Sequence, residues 1–227
     1  MAKSLQGIEK IHLSVSRPES WLVADFSEIY DTLSWAVLGG DMPASSVVWL
    51  KVTSCDLSPG IDPAIYLKHR IENELKRSGA VGLLTSANLD DYADVQKSHG
   101  EFEARCIATV GLSNAVRIGD PPTAHHIGTI NLLCVFSHPL SYESRLEALS
   151  LAAEARTAAV LEAAIPSTVS TFPATGTGTD CIVIASPQGG NDVKYAGKHT
   201  IPGSVIGSAV YEAVRTGTAS WFLRNKK

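Results

Sequence analysis

The chain has little cysteine and no CxxC pair among its four cysteines, which leaves no sign of a thiolate metal site or a disulfide framework. Cys106, Cys134 and Cys181 sit in apolar, strand-like runs, where cysteine behaves as a small buried hydrophobe; Cys55 alone lies in a turn-rich stretch. All four read as reduced thiols. No apolar run approaches the length of a bilayer span. The opening Met1 to Gly7 lacks the apolar core of a secretory signal, so the expectation is a cytoplasmic protein without membrane contact. Positive charge is scarce as well: the formal net charge of −4 removes the basic face that nucleic-acid binding requires. HExxH, GxSxG and a helix-opening GxGxxG are all missing. Gly197-Lys-His-Thr200 fails as the end of a phosphate loop, because His199 splits the Lys-Thr pair and Asp192 stands where the first glycine belongs.

What is present is concentrated in Phe172-Pro-Ala-Thr-Gly-Thr-Gly-Thr-Asp180, which runs directly into the apolar strand Cys181-Ile-Val-Ile-Ala185. Glycine lets backbone approach a ligand closely. The threonine hydroxyls and Asp180 place donors, acceptors and a carboxylate at the mouth of a buried strand.

Leu33-Ser-Trp-Ala-Val-Leu-Gly-Gly-Asp-Met-Pro43 returns as Leu112-Ser-Asn-Ala-Val-Arg-Ile-Gly-Asp-Pro-Pro122, with seven of eleven positions identical at an offset of 79. A Gly-Asp-x-Pro turn accounts for the end of each segment but not for the shared Leu-Ser-x-Ala-Val ahead of it. In both copies an apolar strand follows (Val47–Val52, Ile130–Phe136), then a helical segment (Pro63–Arg77, about Ser141–Ala164) and a second strand (Val81–Thr85, Cys181–Ala185). The chain therefore reads as one domain over residues 1–227, internally duplicated over about 20–90 and 100–190, with a C-terminal helix from about Pro202 to Arg215. Leu146, Leu149, Ala153, Thr157, Val160 and Ala164 trace an apolar stripe at helical spacing. Val205, Ile206, Ala209, Val210, Ala213 and Val214 trace another. Alternating strands and helices without a long linker predict an α/β fold, an α+β sandwich with helices packed on mixed β-sheets. The repeated loops differ at Trp35 and Asn114, an indole in one copy and an amide in the other.

His199 precedes a helix for which Thr200 is the expected N-cap. A histidine titrates near neutrality and acts as base or acid. Asp180 can orient it or accept a proton, Thr175, Thr177 and Thr179 offer hydroxyls, and the loop N–H groups can hold an oxyanion. Each also has a plain alternative: His199 as a surface residue at a helix start, Asp180 as a turn carboxylate bonding its own backbone. Asp120, His125, His126 and His138 are raw material for a metal, but adjacent histidines on a strand point to opposite faces, so no metal site is expected.

Taken in order along nearly the whole chain, several stretches resemble the adenosylcobinamide amidohydrolase family of corrinoid salvage. They are Leu33–Gly40, Ala80–Ser86, Val110–Asp120, Gly128–Asn131, Ala174–Asp180, Tyr195–Thr200 and Ala209–Ala213. Glu154 falls in a helix where that family also carries an acidic residue; His125-His126 and Gln188–Asn191 have no family counterpart. The resemblance implies hydrolysis of the amide joining aminopropanol to a propionate arm of adenosylcobinamide, giving adenosylcobyric acid, with complete cobamides as further candidates. It implies His199, Asp180, Thr179 and Thr177 as catalytic residues. Trp35, Asn114, Asp120, Asn131, Thr175, Gly176 and Gly178 are the implied substrate contacts. The corrinoid is then substrate and small-molecule partner, no cofactor is implied, and a homodimer is left open. A broad disc with apolar faces and an amide-rich rim asks for an open cleft, with Trp35, Trp49 or Tyr195 to stack on it, although Trp49 in an apolar strand reads better as core. The competing readings are a non-catalytic corrinoid binder, although the DxHxxG motif of methyl-transfer corrinoid carriers is missing, and a phosphate- or metal-dependent hydrolase.

Overall fold

The computed structural model describes residues 11–122, 128–189 and 193–225. Its frame is a mixed sheet whose elements run in chain order: β1 (Leu13–Ser16), β2 (Trp21–Ser34), β3 (Met42–Lys51), α1 (Pro63–Arg70), β4 (Ala80–Thr85), β5 (Ala93–His99), β6 (Phe102–Val110), β7 (Ala115–Val116), β8 (Ile130–Phe136), α2 (Tyr142–Glu162), β9 (Gly176–Thr177), β10 (Cys181–Pro187) and α3 (Ile201–Asn225). The large sheet has the order β4-β3-β2-β10-β8-β6-β5, with β1 on β2, and β7 pairs with β9 apart from it. β3 with β4 and β8 with β10 are the parallel pairs, each joined through a helical crossover. The paths β2–β3–α1–β4 and β6–β8–α2–β10 thus match: an antiparallel neighbour, then a parallel one. β8 and β10 are central and covered on both faces, which is why they are almost continuously apolar.

The sheet curls over one of its own faces. β4 touches β8 although three strands separate them in the order, and Asn131 Nδ2 donates to Leu84 O at 2.8 Å across the gap. The irregularity in β2 between Asp25 and Tyr30 interrupts its pairing with β3 and permits the bend. Leu22, Val47, Trp49, Val81 and Leu83 from one half of the sheet pack with Ile107, Leu133, Val183 and Ala185 from the other. On the outer faces, α1 seats Leu67 on Trp21, Val48 and Leu50. α2 and α3 cover β6, β8 and β10. The outcome is an α+β sandwich of helix, strand, strand and helix layers. Among the described residues no helix is long and apolar enough to cross a membrane.

Three helical expectations change in detail. The segment expected as one helix over Pro63–Arg77 is α up to Arg70, continues as a wider π-type turn over Ile71–Leu75, and ends at Lys76 with φ 54°. α3 runs ten residues beyond Arg215 to Asn225. In α2, capped by Ser141 accepting from Ser144 N at 3.2 Å, the buried face is Ser144, Ala148, Ala152, Ala159 and Val160, while Leu146 is exposed. Small residues form that face because α3 lies against it, and the larger leucines are displaced to its margins. The α3 stripe from Val205 to Val214 is buried as expected, and so is Trp49.

Candidate functional site

Two loops are knitted together above the ends of β6, β8 and β10. β7 pairs Ala115 with Thr177 and Val116 with Gly176, Thr175 N donates to Val116 O at 2.9 Å, and Ile118 N donates to Thr175 Oγ1 at 2.8 Å. Asp120 supports the turn from below, accepting from Arg117 N at 2.9 Å and Ser167 Oγ at 2.6 Å. The Ser167 hydrogen bond holds its carboxyl below the usual carboxylate range. Asp120 is therefore a loop support and does not line the clefts described next.

Asp180 organises the loop above it. Its carboxylate accepts from Ile130 N at 3.0 Å and Thr177 N at 2.9 Å, from the Thr177 hydroxyl, and from Arg156 of α2, with which it forms an ion pair. Its side chain is only 6% exposed. Gly176 is required by space: a Cβ there would run into both the Asp180 carboxylate and the Arg156 guanidinium.

On one side of this loop lies a cleft of about 230 Å³, lined by Trp35, Leu84, Asn131, Gly178, Thr179 and Asp180 among others. Trp35 is 53% exposed yet fixed, with Nε1 donating to Asp180 O at 2.8 Å. Gly178 and Thr179 line the cleft, and a Cβ on Gly178 would meet open space. The Thr179 hydroxyl donates to Gly128 O at 2.8 Å. The Thr129 hydroxyl sits between Thr179 O at 2.8 Å and Asn131 Oδ1 at 3.2 Å. Asn131 is buried, with its amide spent on Leu84 O and Thr129, so it braces the cleft floor. Asn114 is buried beside Gly128, where a Cβ would collide with it, and lines neither this cleft nor the one behind the loop; its Oδ1 has no hydrogen-bond partner among the described residues. Cys181 closes the cleft near Ser34, Sγ to Oγ 3.5 Å, and burial pushes its thiol up.

The expected pairing of His199 with Asp180 is not formed. His199 is exposed at the entrance to α3, and no hydrogen bond or ion pair joins it to Asp180 among the described residues; Asp180 is already occupied by its four donors. Lys198 pairs with Glu154 and Asp180 with Arg156, two residues apart on α2. Thr200 caps α3 as expected, accepting from Gly203 N at 3.0 Å.

Of the metal candidates, His125 and His126 lie outside the described residues, and His138 Nδ1 lies 2.9 Å from Ser137 Oγ beside Phe102. Among the described residues no cluster of His, Cys, Asp and Glu is placed to hold a metal ion. The sequence reading missed Arg156 and Arg117. The one available signal was a lone arginine in the otherwise small-residue stretch Ala155–Ala159.

A family model described as adenosylcobinamide amidohydrolase matches residues 3–226. This chain belongs to that family. Among curated proteins it is 33% identical over 139 residues to an adenosylcobinamide amidohydrolase of Halobacterium salinarum, covering 56% of each chain. It is 31% identical over 161 residues to protein MJ1613 of Methanocaldococcus jannaschii, covering 62% of this chain and 63% of that one. The matches therefore span less than two thirds of the length of these relatives. Among solved structures, the PH0078 protein from Pyrococcus horikoshii OT3 aligns with a TM-score of 0.45 at 10% identity, over 89% of this chain and 77% of that one. A Burkholderia sp. beta-aminopeptidase aligns with a TM-score of 0.44 at 10% identity, over 96% of this chain and 80% of that one.

Proposed function

We propose that this chain hydrolyses the amide between aminopropanol and the propionate arm of adenosylcobinamide, giving adenosylcobyric acid and free aminopropanol, and that complete cobamides are a second substrate class. The observation that carries this reading is the pinned loop from Thr175 to Asp180, whose Gly178 and Thr179 line an open cleft beside a half-exposed, hydrogen-bonded indole. Family membership supplies the substrate class. Exposed Trp35 and Val37 line this cleft and suit a broad disc with apolar faces.

In the proposed chemistry a water attacks the amide carbon and His199 takes its proton. The tetrahedral oxyanion accepts from the Gly178 and Thr179 N–H groups, and His199 returns the proton to the leaving nitrogen as the C–N bond breaks. One oxyanion donor supplies only about 3 kcal/mol of barrier lowering, so positioning by the clamped loop contributes the rest alongside proton transfer. Asp180 and Thr177 hold the loop in register, Thr179 fixes it to Gly128, and Trp35 stacks on the ligand. No metal enters these steps, so treatment with a chelator leaves the rate unchanged.

The test is incubation of purified, chelator-treated protein with adenosylcobinamide, followed by liquid chromatography and mass spectrometry. Adenosylcobyric acid with equimolar aminopropanol supports the reading. Adenosylcobinamide bound but returned intact would replace the enzyme with a binder.

A further inference from the structure

A second cleft of about 250 Å³ lies behind the loop, sharing only Asp180 with the Trp35 cleft. Two guanidiniums, Arg117 and Arg156, line it together with one carboxylate, that of Asp180. Arg156 spends one nitrogen on Asp180, and its Nε is buried without a hydrogen-bond partner among the described residues. Arg117 has no carboxylate partner among the described residues. One of its nitrogens donates to Pro173 O at 3.0 Å, and its plane lies over the Phe172 ring at 5.5 Å from the centroid. The nearby Asp120 carboxylate accepts from Arg117 N and Ser167 and partly offsets the Arg117 charge without forming an ion pair with its guanidinium. The Thr175 hydroxyl oxygen accepts from Ile118 N, so its own hydrogen remains to be donated.

We propose that the Arg117–Arg156 cleft is an oxyanion subsite, taking a phosphate or carboxylate group through the Arg117 fork, the remaining Arg156 N–H groups and the Thr175 hydroxyl. A guanidinium matches the paired oxygens of either group in two parallel hydrogen bonds. A loop that separates this subsite from the Trp35 cleft allows one ligand to reach both. Resting on the reading above, the oxyanion is a phosphate ester on the amine side of the scissile amide, because the carboxylate formed on the acyl side stays at the Trp35 cleft beside Gly178 and Thr179.

Binding is measured without any hydrolysis, so the result stands whether or not adenosylcobinamide is cleaved. Inorganic phosphate and acetate are titrated separately into wild type, Arg117→Gln and Arg117→Lys, with chloride holding ionic strength constant. Calorimetry and the rise in Tm are read together. A saturable response in wild type, weaker by about tenfold or more in Arg117→Gln and less reduced in Arg117→Lys, is expected. Phosphate outcompeting acetate supports the amine-side assignment, and acetate outcompeting phosphate overturns it. The subsite is overturned if neither anion acts beyond chloride, or if Arg117→Gln binds as wild type does. Should Arg117→Gln fail to fold, undiminished binding by Arg117→Lys overturns the two-pronged contact and reduced binding upholds it.

Discussion

Arg156, near the C-terminal end of α2, is ion-paired to Asp180 at the mouth of β10, and this pair fastens the functional loop to the helical layer. Both side chains are largely buried, at 16% and 6% exposure. Asp180 also holds the N–H of Ile130 and the Thr177 backbone and hydroxyl. One carboxylate thus ties together β8, the loop and a helix.

Asp180→Asn keeps the shape and removes the charge opposite Arg156. Loss of one partner from a buried pair costs about 3 kcal/mol or more, so urea unfolding should show a marked loss of stability and turnover should fall with it. A variant as stable as wild type would mean that the pair does not hold the loop.

The two loop glycines should separate cleanly. Gly176→Ala places a Cβ against Asp180 and Arg156, whereas Gly178→Ala meets nothing within 4 Å. Thermal denaturation should show Gly176→Ala destabilised by about 1–3 kcal/mol and Gly178→Ala close to wild type. Equal stabilities would contradict the crowding at Gly176.

Trp35→Ala removes an exposed ring that the fold does not need for its core. The expected result is a KM for adenosylcobinamide raised about tenfold at nearly unchanged Tm, the size of one aromatic stacking contact with the area it covers. Trp35→Phe retains the ring but loses the bond to Asp180 O and should fall between the two. A KM insensitive to both changes would remove Trp35 from the binding surface.

His199→Ala should leave stability within about 0.5 kcal/mol, as for other exposed positions without partners. Turnover should drop by about a hundredfold or more, the usual contribution of a positioned acid–base group. Retained turnover would take His199 out of the chemistry and return proton transfer to the loop.

The thiols give a test of burial. Burial pushes Cys134 up to about 12, raises Cys106 well above the ordinary thiol range and raises Cys181 too. Since these pKa values are higher folded than unfolded, their contribution to stability is complete below the unfolded value of 9.0 and declines as pH rises above it. In native protein at mildly alkaline pH, iodoacetamide should modify Cys55, which is exposed, and spare Cys106 and Cys134 until denaturant is added. Labelling of Cys134 in the folded state would contradict the packing of β8.

The sequence by itself determined where most of the elements lie. β8 begins and ends where its apolar run does, Ser141 and Thr200 cap the helices they precede, and Val205 to Val214 is buried at helical spacing. These are local properties, set by side-chain period and by hydrogen bonds within three residues. The chemistry-bearing loop was legible for the same reason, because glycine, threonine and aspartate are adjacent in the chain.

What only the tertiary structure decided are the partners. Asp180 meets Arg156 across 24 residues of chain, Asn131 turns its amide to Leu84 across 47, and Thr179 reaches Gly128 across 51. None of these follows from period or composition, because each depends on how the sheet curls and which helix covers it. The buried face of α2 shows the same limit. Helical spacing puts the apolar stripe on Leu146, Leu149 and Ala153, but the approach of α3 selects the small residues Ala148, Ala152 and Ala159 and leaves Leu146 exposed. Side chains such as Asn131 and Asp180, which read as free to meet a ligand, are instead consumed inside the fold, since a buried polar group left without a partner costs more than the hydrogen bond it forms there returns.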